Sequence, residues 1–242
     1  MSAERIDKIL SSQNIASRSE VKAMIKAGRI TADGRTVKRP EEKLDPEAAE
    51  IMVDGKRISF NKYVYIMMNK PKGVLSASSD RHAKTVIDLL PEEMKRRELF
   101  PAGRLDKDTV GFILITDDGE LAHKMLSPKS HVYKLYEVKC DRELNETDVK
   151  AFSQGITLGE ISFLPAEMKI IDKDKALVEI CEGKFHQIKK MFHAVGAEVI
   201  ELKRLRIGQV FLDRDLSEGM SRYLTESELI DILSRKHGIT DY

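Results

Sequence analysis

Short apolar runs rich in β-branched residues recur through the last three quarters of this 242-residue chain, separated by Gly and Pro signals. Such runs predict strands, here at 63–68, 112–116, 132–139, 176–181 and 198–205. Apolar residues at helical spacing predict helices, here at 84–91, 120–127, 145–155, 185–196 and 225–238. Because strands and helices do not alternate regularly, the pattern favours an α+β fold with a mixed, mainly antiparallel sheet over a doubly wound parallel sheet.

The first 60 residues predict a separate small module of two helices and short strands. One helix follows from the spacing of Ile6, Ile9 and Leu10, and a second opens with Ser-x-x-Glu at Ser17 and ends at Gly28. The Asp-Gly pairs in "RITADGRTV" and "EIMVDGKRI" predict hairpins. We therefore expect a module at 1–60 and a larger domain at 61–242.

Positive charge is concentrated in this module although the net charge of the chain is only +1. Residues 1–40 contain nine Lys or Arg and four acids, whereas residues 41–60 contain three and six. The second helix and its following turn carry a basic stripe of Arg18, Lys22, Lys26 and Arg29. On charge alone, a solvated helix face explains such a stripe.

Several classes of protein are disfavoured by the sequence. Cys140 and Cys181 lie far apart with no ligand-like spacing, which disfavours a disulfide framework and a zinc site and suits a reducing cytosol. No apolar segment reaches the length of a membrane span, and the start lacks a signal-peptide core, so a cytoplasmic protein is expected. Asp106, Asp108 and Gly111 fit part of a calcium-loop pattern, but Val110 replaces an oxygen ligand, so no metal is predicted.

The stretch "GRLDKDTVGFILITDDGE" resembles the Gly-Arg-Leu-Asp motif of the RsuA-type pseudouridine synthases. Further motifs of that family follow the same order along the chain: "NKPKG", "HVYKLYEV", "EGKFHQIKKMF" and "LKRLRIG". The segment "RIDKILSSQNIASRSEVKAMIKAGRITADGRTV" resembles the S4 RNA-binding domain. The resemblance covers nearly the whole chain and implies an enzyme that isomerises uridine in RNA to pseudouridine.

The resemblance implies three catalytic residues. Asp106 is the catalytic carboxylate, Lys189 is its basic partner in a position where many relatives carry Arg, and Tyr136 stacks on the target base. Taken without the family, a strand tyrosine is more often a packing residue. A lysine supplies the charge of an arginine but not its bidentate fork. The carboxylate can serve as a nucleophile or as a base in a glycal route, and the sequence leaves both routes open.

The resemblance also implies residues that bind the substrate. Arg104 would organise the extruded nucleotide or its phosphate, with a structural salt bridge to a neighbouring acid as the open alternative. Arg18, Lys22, Lys26 and Arg29 would contact RNA phosphates, which supply affinity but do not identify a base.

Other polar residues near these motifs are expected to be structural. Asp108 is interpreted as a turn residue and "NKPKG" as a turn shaped by its Pro and Gly. His186 and His193 are seven residues apart, which is not the spacing of paired helical metal ligands. Both are interpreted as structural, with His186 at most supporting the site.

The resemblance further indicates the small-subunit branch. "TDDGELAHKMLSPKSHVYKLYEV" and "SEGMSRYLTESEL" are similar to members acting on 16S ribosomal RNA, at a uridine of the 516 type. The partner would be small-subunit ribosomal RNA or an assembly intermediate, bound by a monomer without a membrane. Because isomerisation transfers no electrons and loses no atoms, no cofactor is expected. A 23S-specific synthase and a noncatalytic RNA-binding ribosome-assembly factor remain as alternatives.

Overall fold

The computed structural model describes residues 3–96 and 98–239. They form two compact units. The N-terminal unit extends to Tyr63 and includes Pro91–Leu99, and the larger unit comprises Val64–Leu90 and the chain from Phe100 onward.

The N-terminal unit contains two helices and short strands, as the sequence predicts. Its helices are α1 (Ile6–Ser12) and α2 (Arg18–Lys26), and its strands are β1 (Glu4–Arg5), β2 (Ile30–Ala32), β3 (Arg35–Thr36), β4 (Lys43–Leu44), β5 (Ile51–Val53) and β6 (Lys56–Arg57). Strands pair in the order β3-β2-β5-β6, and β1 pairs with β4. Both Asp-Gly hairpins are confirmed, with positive φ at the aspartate and the glycine of each turn.

Helix α2 begins where its capping signal predicts. The Ser17 hydroxyl accepts the backbone N–H of Glu20 at 3.3 Å, and the Glu20 carboxylate accepts the N–H of Ser17 at 2.7 Å. This reciprocal pair satisfies two N–H groups that lack partners at a helix start. Val21, Met24 and Ile25 then pack into the core of this unit with the apolar face of α1. The spacing of the apolar residues therefore determines which face of α2 is buried and which face exposes its charged side chains.

Arg96 joins the segment 91–99 to the rest of the N-terminal unit by hydrogen bonds. Arg96 Nε donates to the carbonyl of Ser12 at 3.1 Å, and its Nη1 donates to the carbonyl of Asn61 at 3.0 Å. Asn61 is also hydrogen bonded through its backbone to the side chain of Gln13. A deletion that ends near residue 60 would therefore remove a partner of Arg96.

The larger unit is built on a nine-stranded sheet. The unit has eleven strands, nine of them in this sheet: β7 (Tyr65–Lys70), β8 (Phe100–Ala102), β9 (Val110–Thr116), β10 (Lys134–Cys140), β11 (Ile156–Leu158), β12 (Ile161–Phe163), β13 (Glu167–Asp172), β14 (Lys175–Ile180), β15 (Val199–Ile207), β16 (Val210–Phe211) and β17 (Ser221–Tyr223) in the described residues. The sheet order is β13-β14-β10-β15-β9-β7-β17, with β16 on β15 and β8 on β9, while β11 and β12 form a separate pair. Its helices are α3 (Gly119–Leu126), α4 (Glu146–Gln154), α5 (Gln187–Ala194) and α6 (Glu226–Asp231). The α+β class with a mixed, mainly antiparallel sheet is confirmed.

A parallel contact joins β9 and β15 at the centre of this sheet, and it depends on a glycine. Arg204 is paired with Gly111, which has φ +99°. A Cβ atom at residue 111 would lie 2.3 Å from the carbonyl oxygen of Arg204. Only glycine accepts both this φ and this close backbone approach. The register of β9, and with it the loop that precedes this strand, is fixed at this point.

One predicted helix is wrong. Residues 84–91 form turns, and Thr85 makes a parallel bridge with Leu75. The Asp88 carboxylate accepts the N–H of Thr85 at 2.8 Å and its hydroxyl at 3.0 Å. Val86 and Leu90 are buried, so their spacing reflects burial within a folded turn. The helix predicted at 225–238 covers only Glu226–Asp231, and residues 232–238 are not helical. The other predicted helices and strands are present with shifted ends, and no helix among the described residues is long and apolar enough to cross a membrane.

Candidate active site

The loop 103–109, between β8 and β9, carries the "GRLDKD" residues. The backbone N–H of Thr109 donates to the carbonyl of Asp106 at 3.1 Å and closes a turn. The hydroxyl of Ser76 donates to the carbonyl of Leu105 at 2.8 Å and accepts the N–H of Leu105 at 3.1 Å. The residue immediately before Asp106 is therefore held on both of its backbone polar groups.

A buried lysine lies inside this loop. Lys70, at the end of β7, is fully buried, and its ammonium donates to the carbonyls of Thr109 at 2.8 Å, Asp106 at 3.1 Å, Pro71 at 3.1 Å and Lys107 at 3.4 Å. Burial lowers the pKa of Lys70 to about 8. The carbonyls converge on one cation, so the loop is wrapped around an ammonium group. The "NKPKG" turn thus contributes more than the backbone shape of its Pro and Gly.

The Asp106 carboxylate lies between two basic side chains from the beginning of α5. Lys189 Nζ is 3.4 Å from one carboxylate oxygen, and His186 Nε2 is 3.3 Å from the other. The Asp106 side chain keeps 28% of its surface exposed, so a substrate can reach it. The predicted proximity of Asp106 and Lys189 is present in the structure, and His186 lies closer to the carboxylate than its structural interpretation anticipates.

Lys189 makes its shorter contacts with Asp108. Its ammonium donates to both Asp108 oxygens, at 2.7 and 2.8 Å, and the hydrogen bond from Lys189 lowers the pKa of the Asp108 carboxyl despite partial desolvation. The interpretation of Asp108 as only a turn residue is therefore wrong. One ammonium bridges two carboxylates, which a compact point charge can do where a planar guanidinium would favour one bidentate partner.

Helix α5 is positioned by its apolar face and by an unusual start. Ile188, Met191 and Phe192 are buried in the core, as their spacing predicts. His186 precedes the helix in the left-handed region with φ +53°, and the Gln187 side chain accepts the N–H of Lys184 at 3.1 Å. The sharp turn at residue 186 directs both the histidine and, one turn later, Lys189 toward Asp106.

Tyr136 and Arg104 complete one cavity with Asp106 and Lys189. Tyr136 lies on β10, paired with Val178 on one side and Arg204 on the other, and it is almost fully buried. Arg104 is exposed and, among the described residues, makes no hydrogen bond or ion pair. The cavity therefore offers a carboxylate, an ammonium, an aromatic ring and an unpaired guanidinium. The alternative of a structural salt bridge for Arg104 is not observed in the described part of the chain.

Two buried cations line an adjacent cavity that shares Arg104 and Tyr136 with the first. Lys134 lies two residues before Tyr136, and burial together with the charge of Arg204 lowers its pKa to about 8. Arg204 Nε donates to the carbonyl of Phe112 at 2.6 Å. These buried charges make the surroundings of the carboxylate electropositive, which favours a polyanionic substrate.

Comparison with known proteins gives a consistent result. The model of the family described as RNA pseudouridylate synthase matches residues 64–194, and that of the S4 domain matches residues 4–50. An uncharacterized RNA pseudouridine synthase of Bacillus subtilis is 46% identical over 230 residues, covering 93% of this chain and 96% of the relative.

The chain belongs to the RNA pseudouridine synthase family.

Two further relatives span this synthase along almost its full length. The ribosomal small subunit pseudouridine synthase A of Escherichia coli is 37% identical over 232 residues, covering 95% of this chain and all of the relative. A solved pseudouridylate synthase superposes with a TM-score of 0.67 at 33% identity, covering 95% of this chain and 99% of that one. The family and fold expected from the motifs are therefore confirmed.

The S4 domain of the synthase presents the basic stripe in two parts. Arg18, Lys22 and Lys26 are exposed along α2 and have no ion-pair partner within 4 Å among the described residues. Arg29 instead makes a bidentate ion pair with Asp54, at 2.7 and 2.5 Å, which lowers the pKa of that carboxyl. Three of the four side chains predicted to contact phosphate therefore have no ion-pair partner among the described residues. The fourth, Arg29, is already paired with Asp54 of the same unit.

Among the described residues, one group of side chains has metal-ligand character. Ligand atoms of Glu167, Glu179 and His237 lie within 4.8 Å of one another. However, one Glu179 oxygen is paired with the Arg206 guanidinium, and the other accepts the N–H of Gly238 at 2.7 Å. This arrangement is an ion-pair cluster that holds the C-terminal segment against β14.

The sequence motifs left three residues of the site without a functional assignment: Lys70, Asp108 and His186. A lysine at the end of the apolar run "YVYIMMNK" was the available signal for Lys70, because a buried lysine requires acceptors. No pattern in the sequence pairs Asp108 with Lys189, since 81 positions separate them. For His186 the motif marked the position but not the turn that directs its ring toward Asp106.

Proposed function

We propose that the synthase converts a uridine of small-subunit ribosomal RNA, of the 516 type in 16S RNA, to pseudouridine. The proposal is supported by relatives named ribosomal small subunit pseudouridine synthase A in Yersinia pestis, Vibrio cholerae and Escherichia coli, which are 37–40% identical over at least 94% of this chain. Ribosomal RNA as substrate further implies a cytoplasmic location, consistent with two free buried cysteines.

Asp106 is the catalytic carboxylate in this proposal. The C1′–N1 bond breaks with its electron pair going to the base, the base rotates, and C5 supplies the pair for a new bond to C1′ while C5 loses a proton and N1 gains one. Asp106 assists departure of the base in one of two ways: it attacks C1′, forming a bond that breaks when C5 attacks C1′, or it removes a proton from the sugar and returns it when C5 bonds to C1′. The observation that carries the assignment is the cavity in which Asp106, Lys189, Tyr136 and Arg104 converge.

The neighbouring side chains have separate roles. Lys189 orients the carboxylate through an ion pair, with its ammonium 3.4 Å from one oxygen. Tyr136 stacks on the extruded uracil, which an aromatic ring at the cavity wall suits. Arg104 binds a phosphate of the extruded nucleotide with its unpaired guanidinium. No cofactor takes part, because the isomerisation has no redox step.

The two parts of the chain have different roles in this proposal. Residues 1–60 bind RNA through phosphate contacts from Arg18, Lys22 and Lys26, and residues 61–242 carry the catalytic site. Arg29 contributes less to RNA affinity than the other three cations, because Asp54 already neutralises it.

The decisive experiment is pseudouridine mapping after incubation with unmodified 16S RNA, 23S RNA and assembling small subunits. Native protein, Asp106→Asn and Asp215→Asn are compared. Asp215 is an exposed carboxylate of the larger unit outside the cavity, so its variant controls for loss of one charge. The native and Asp215→Asn proteins should modify one uridine of small-subunit RNA, and Asp106→Asn should modify none while still binding RNA.

The other outcomes separate the alternatives. Modification confined to 23S RNA would retain the enzyme and reject the substrate. RNA binding by the native protein without pseudouridine on any RNA would indicate a noncatalytic assembly factor. Modification by Asp106→Asn at the native rate would reject the catalytic assignment.

A further inference from the structure

Phe185 is an exposed aromatic residue between Lys184 and His186, which both line the Asp106 cavity. Its side chain keeps 71% of its surface exposed, although the neighbouring positions Ile180, Cys181 and Glu182 are buried. An exposed phenyl ring forgoes the stabilisation that burial would give it. Its position in the chain, directly before His186, therefore calls for an explanation.

The ring of Phe185 is held flat by its neighbours. It stacks on the ring of His186 with centroids 3.8 Å apart and planes 20° apart. The Lys190 ammonium lies 5.1 Å from the Phe185 centroid. One face of the phenyl ring is thus covered by the imidazole of His186, and the Lys190 ammonium lies over the ring, yet most of the residue's surface remains exposed.

This stack is connected to the catalytic carboxylate. His186 contacts Asp106 at 3.3 Å and lines the cavity that contains it. His186 has the left-handed conformation, with one ring nitrogen near Asp106 and its ring stacked on Phe185. Whatever covers the free surface of Phe185 therefore lies next to the group bound at Asp106.

The chemistry around Phe185 favours nucleic acid over protein as the occupant. Between residues 182 and 190 the exposed and half-exposed side chains other than Phe185 are basic, namely Lys184, His186, Lys189 and Lys190, and none of them is apolar. Lys184 is paired with Glu182 and Lys189 with Asp108. Lys190 makes no ion pair among the described residues. An aromatic ring flanked by unpaired positive charge is the combination that binds single-stranded nucleic acid, by stacking and phosphate contact. A protein interface would require a larger apolar patch.

We propose that Phe185 is a stacking platform for a nucleobase adjacent to the extruded uridine, and that Lys190 binds the phosphate beside that base. The proposal rests on the proposed function in that it assigns the uridine to the Asp106 cavity. It adds a second binding position, for a neighbouring unpaired base of any identity, because every base has a π-face. Extrusion of the uridine breaks its stacking with its neighbours, and the platform replaces one lost stack.

The test uses fluorescence and binding, which require no turnover. The probe is a short oligouridylate with 2-aminopurine on one side or the other of the central uridine, whose emission falls when the purine stacks. Full-length native protein is compared with Phe185→Ala, Phe185→Leu and Phe185→Tyr. Ile230→Ala is the matched control, because Ile230 on α6 is 78% exposed and lies outside both cavities.

Native protein, Phe185→Tyr and Ile230→Ala should quench the probe. Phe185→Ala and Phe185→Leu should not, and they should bind roughly 5- to 100-fold more weakly, the range for one base–aromatic stack. Replacing the two neighbours of the central uridine by abasic residues should weaken native binding and abolish the difference between native and Phe185→Leu. Unfolding of each variant by urea checks its stability.

Three results would overturn the platform: no quenching by native protein, equal quenching by Phe185→Leu, or a Phe185→Leu defect that persists on the abasic probe. Pseudouridine mapping on 16S RNA is measured separately. Normal modification with no Phe185-dependent quenching rejects the platform alone. Quenching that depends on Phe185 without modification of any RNA rejects the proposed function alone.

Discussion

Replacement of Lys70 by methionine should separate the shape of the loop 103–109 from the stability of the fold. Methionine keeps an unbranched apolar stem of similar length but removes the ammonium that binds the carbonyls of Pro71, Asp106, Lys107 and Thr109. The substitution touches no group proposed to contact substrate. An effect on the reaction would therefore act through the position of the loop and through loss of the positive charge that interacts with Asp106 and Asp108.

Two opposing contributions determine the stability of this variant. The carbonyls of Asp106 and Lys107 keep hydrogen bonds from the N–H groups of Thr109 and Gly73. Those of Pro71 and Thr109 lose the ammonium, at roughly 1–3 kcal/mol each. Against this, the pKa of Lys70 falls from 10.5 to about 8, which corresponds to about 3 kcal/mol disfavouring the buried charge. The net change in unfolding free energy is therefore expected to lie between a gain of about 1 kcal/mol and a loss of about 3 kcal/mol.

The catalytic consequence should be larger than the loss of stability. With its central cation removed, the loop relaxes and Asp106 shifts relative to the sugar. Displacement of a reacting group by about 1 Å costs on the order of 100-fold in rate. We expect kcat to fall roughly 10- to 100-fold with little change in the affinity for RNA, measured by single-turnover modification and by equilibrium binding.

The pH dependence of stability gives an independent check. Because the pKa of Lys70 is lower in the folded state, the unfolded state binds more protons between pH 8 and 10.5, and the native protein gains stability as pH rises through that window. From pH 7 to 9 the difference in unfolding free energy between native protein and Lys70→Met should shift by about 1 kcal/mol in favour of the native protein. Lys134, whose pKa is also about 8, is present in both proteins and cancels.

Lys72→Met is the matched control, because Lys72 is an exposed lysine of the same turn. It should leave kcat and the pH dependence of unfolding unchanged. A Lys70→Met protein that is folded and retains native kcat would refute the role assigned to the ammonium.

Two other substitutions test the RNA surface and the central strand contact. The double variant Lys22→Gln/Lys26→Gln should reduce the slope of log affinity against log salt concentration by about 2 in filter-binding titrations. Arg29→Gln should change this slope less, because Arg29 is already paired with Asp54. Equal slopes for all variants would indicate that another face binds RNA. Gly111→Ala should lower the unfolding free energy by roughly 3 kcal/mol or more, because the new Cβ meets a carbonyl oxygen at 2.3 Å. Gly119→Ala, with open space around it, is its control in urea unfolding; similar stability of the two variants would contradict the close-contact argument.

Local signals predicted the elements whose formation is mainly local. The capping box at Ser17 and the Asp-Gly turns appear where the sequence placed them, because their hydrogen bonds join residues three or four positions apart. The segment 84–91 shows the limit of that approach. Its apolar spacing fits a helix, but the bridge from Thr85 to Leu75 and the bonds to Asp88 stabilise turns instead.

The sequence by itself determined the family, the order of the two units and the motif residues Asp106, Tyr136 and Lys189, because these are written in contiguous stretches. Only the tertiary structure decided that Lys189 bridges the carboxylates of Asp106 and Asp108, that the Lys70 ammonium lies inside the loop 103–109 and that Arg29 is paired with Asp54. The contacts between Arg29 and Asp54, between Lys70 and Asp106 and between Lys189 and Asp108 join residues 25, 36 and 81 positions apart. Charge pairing across such separations depends on which strands become neighbours in space, and no local pattern in the chain encodes that.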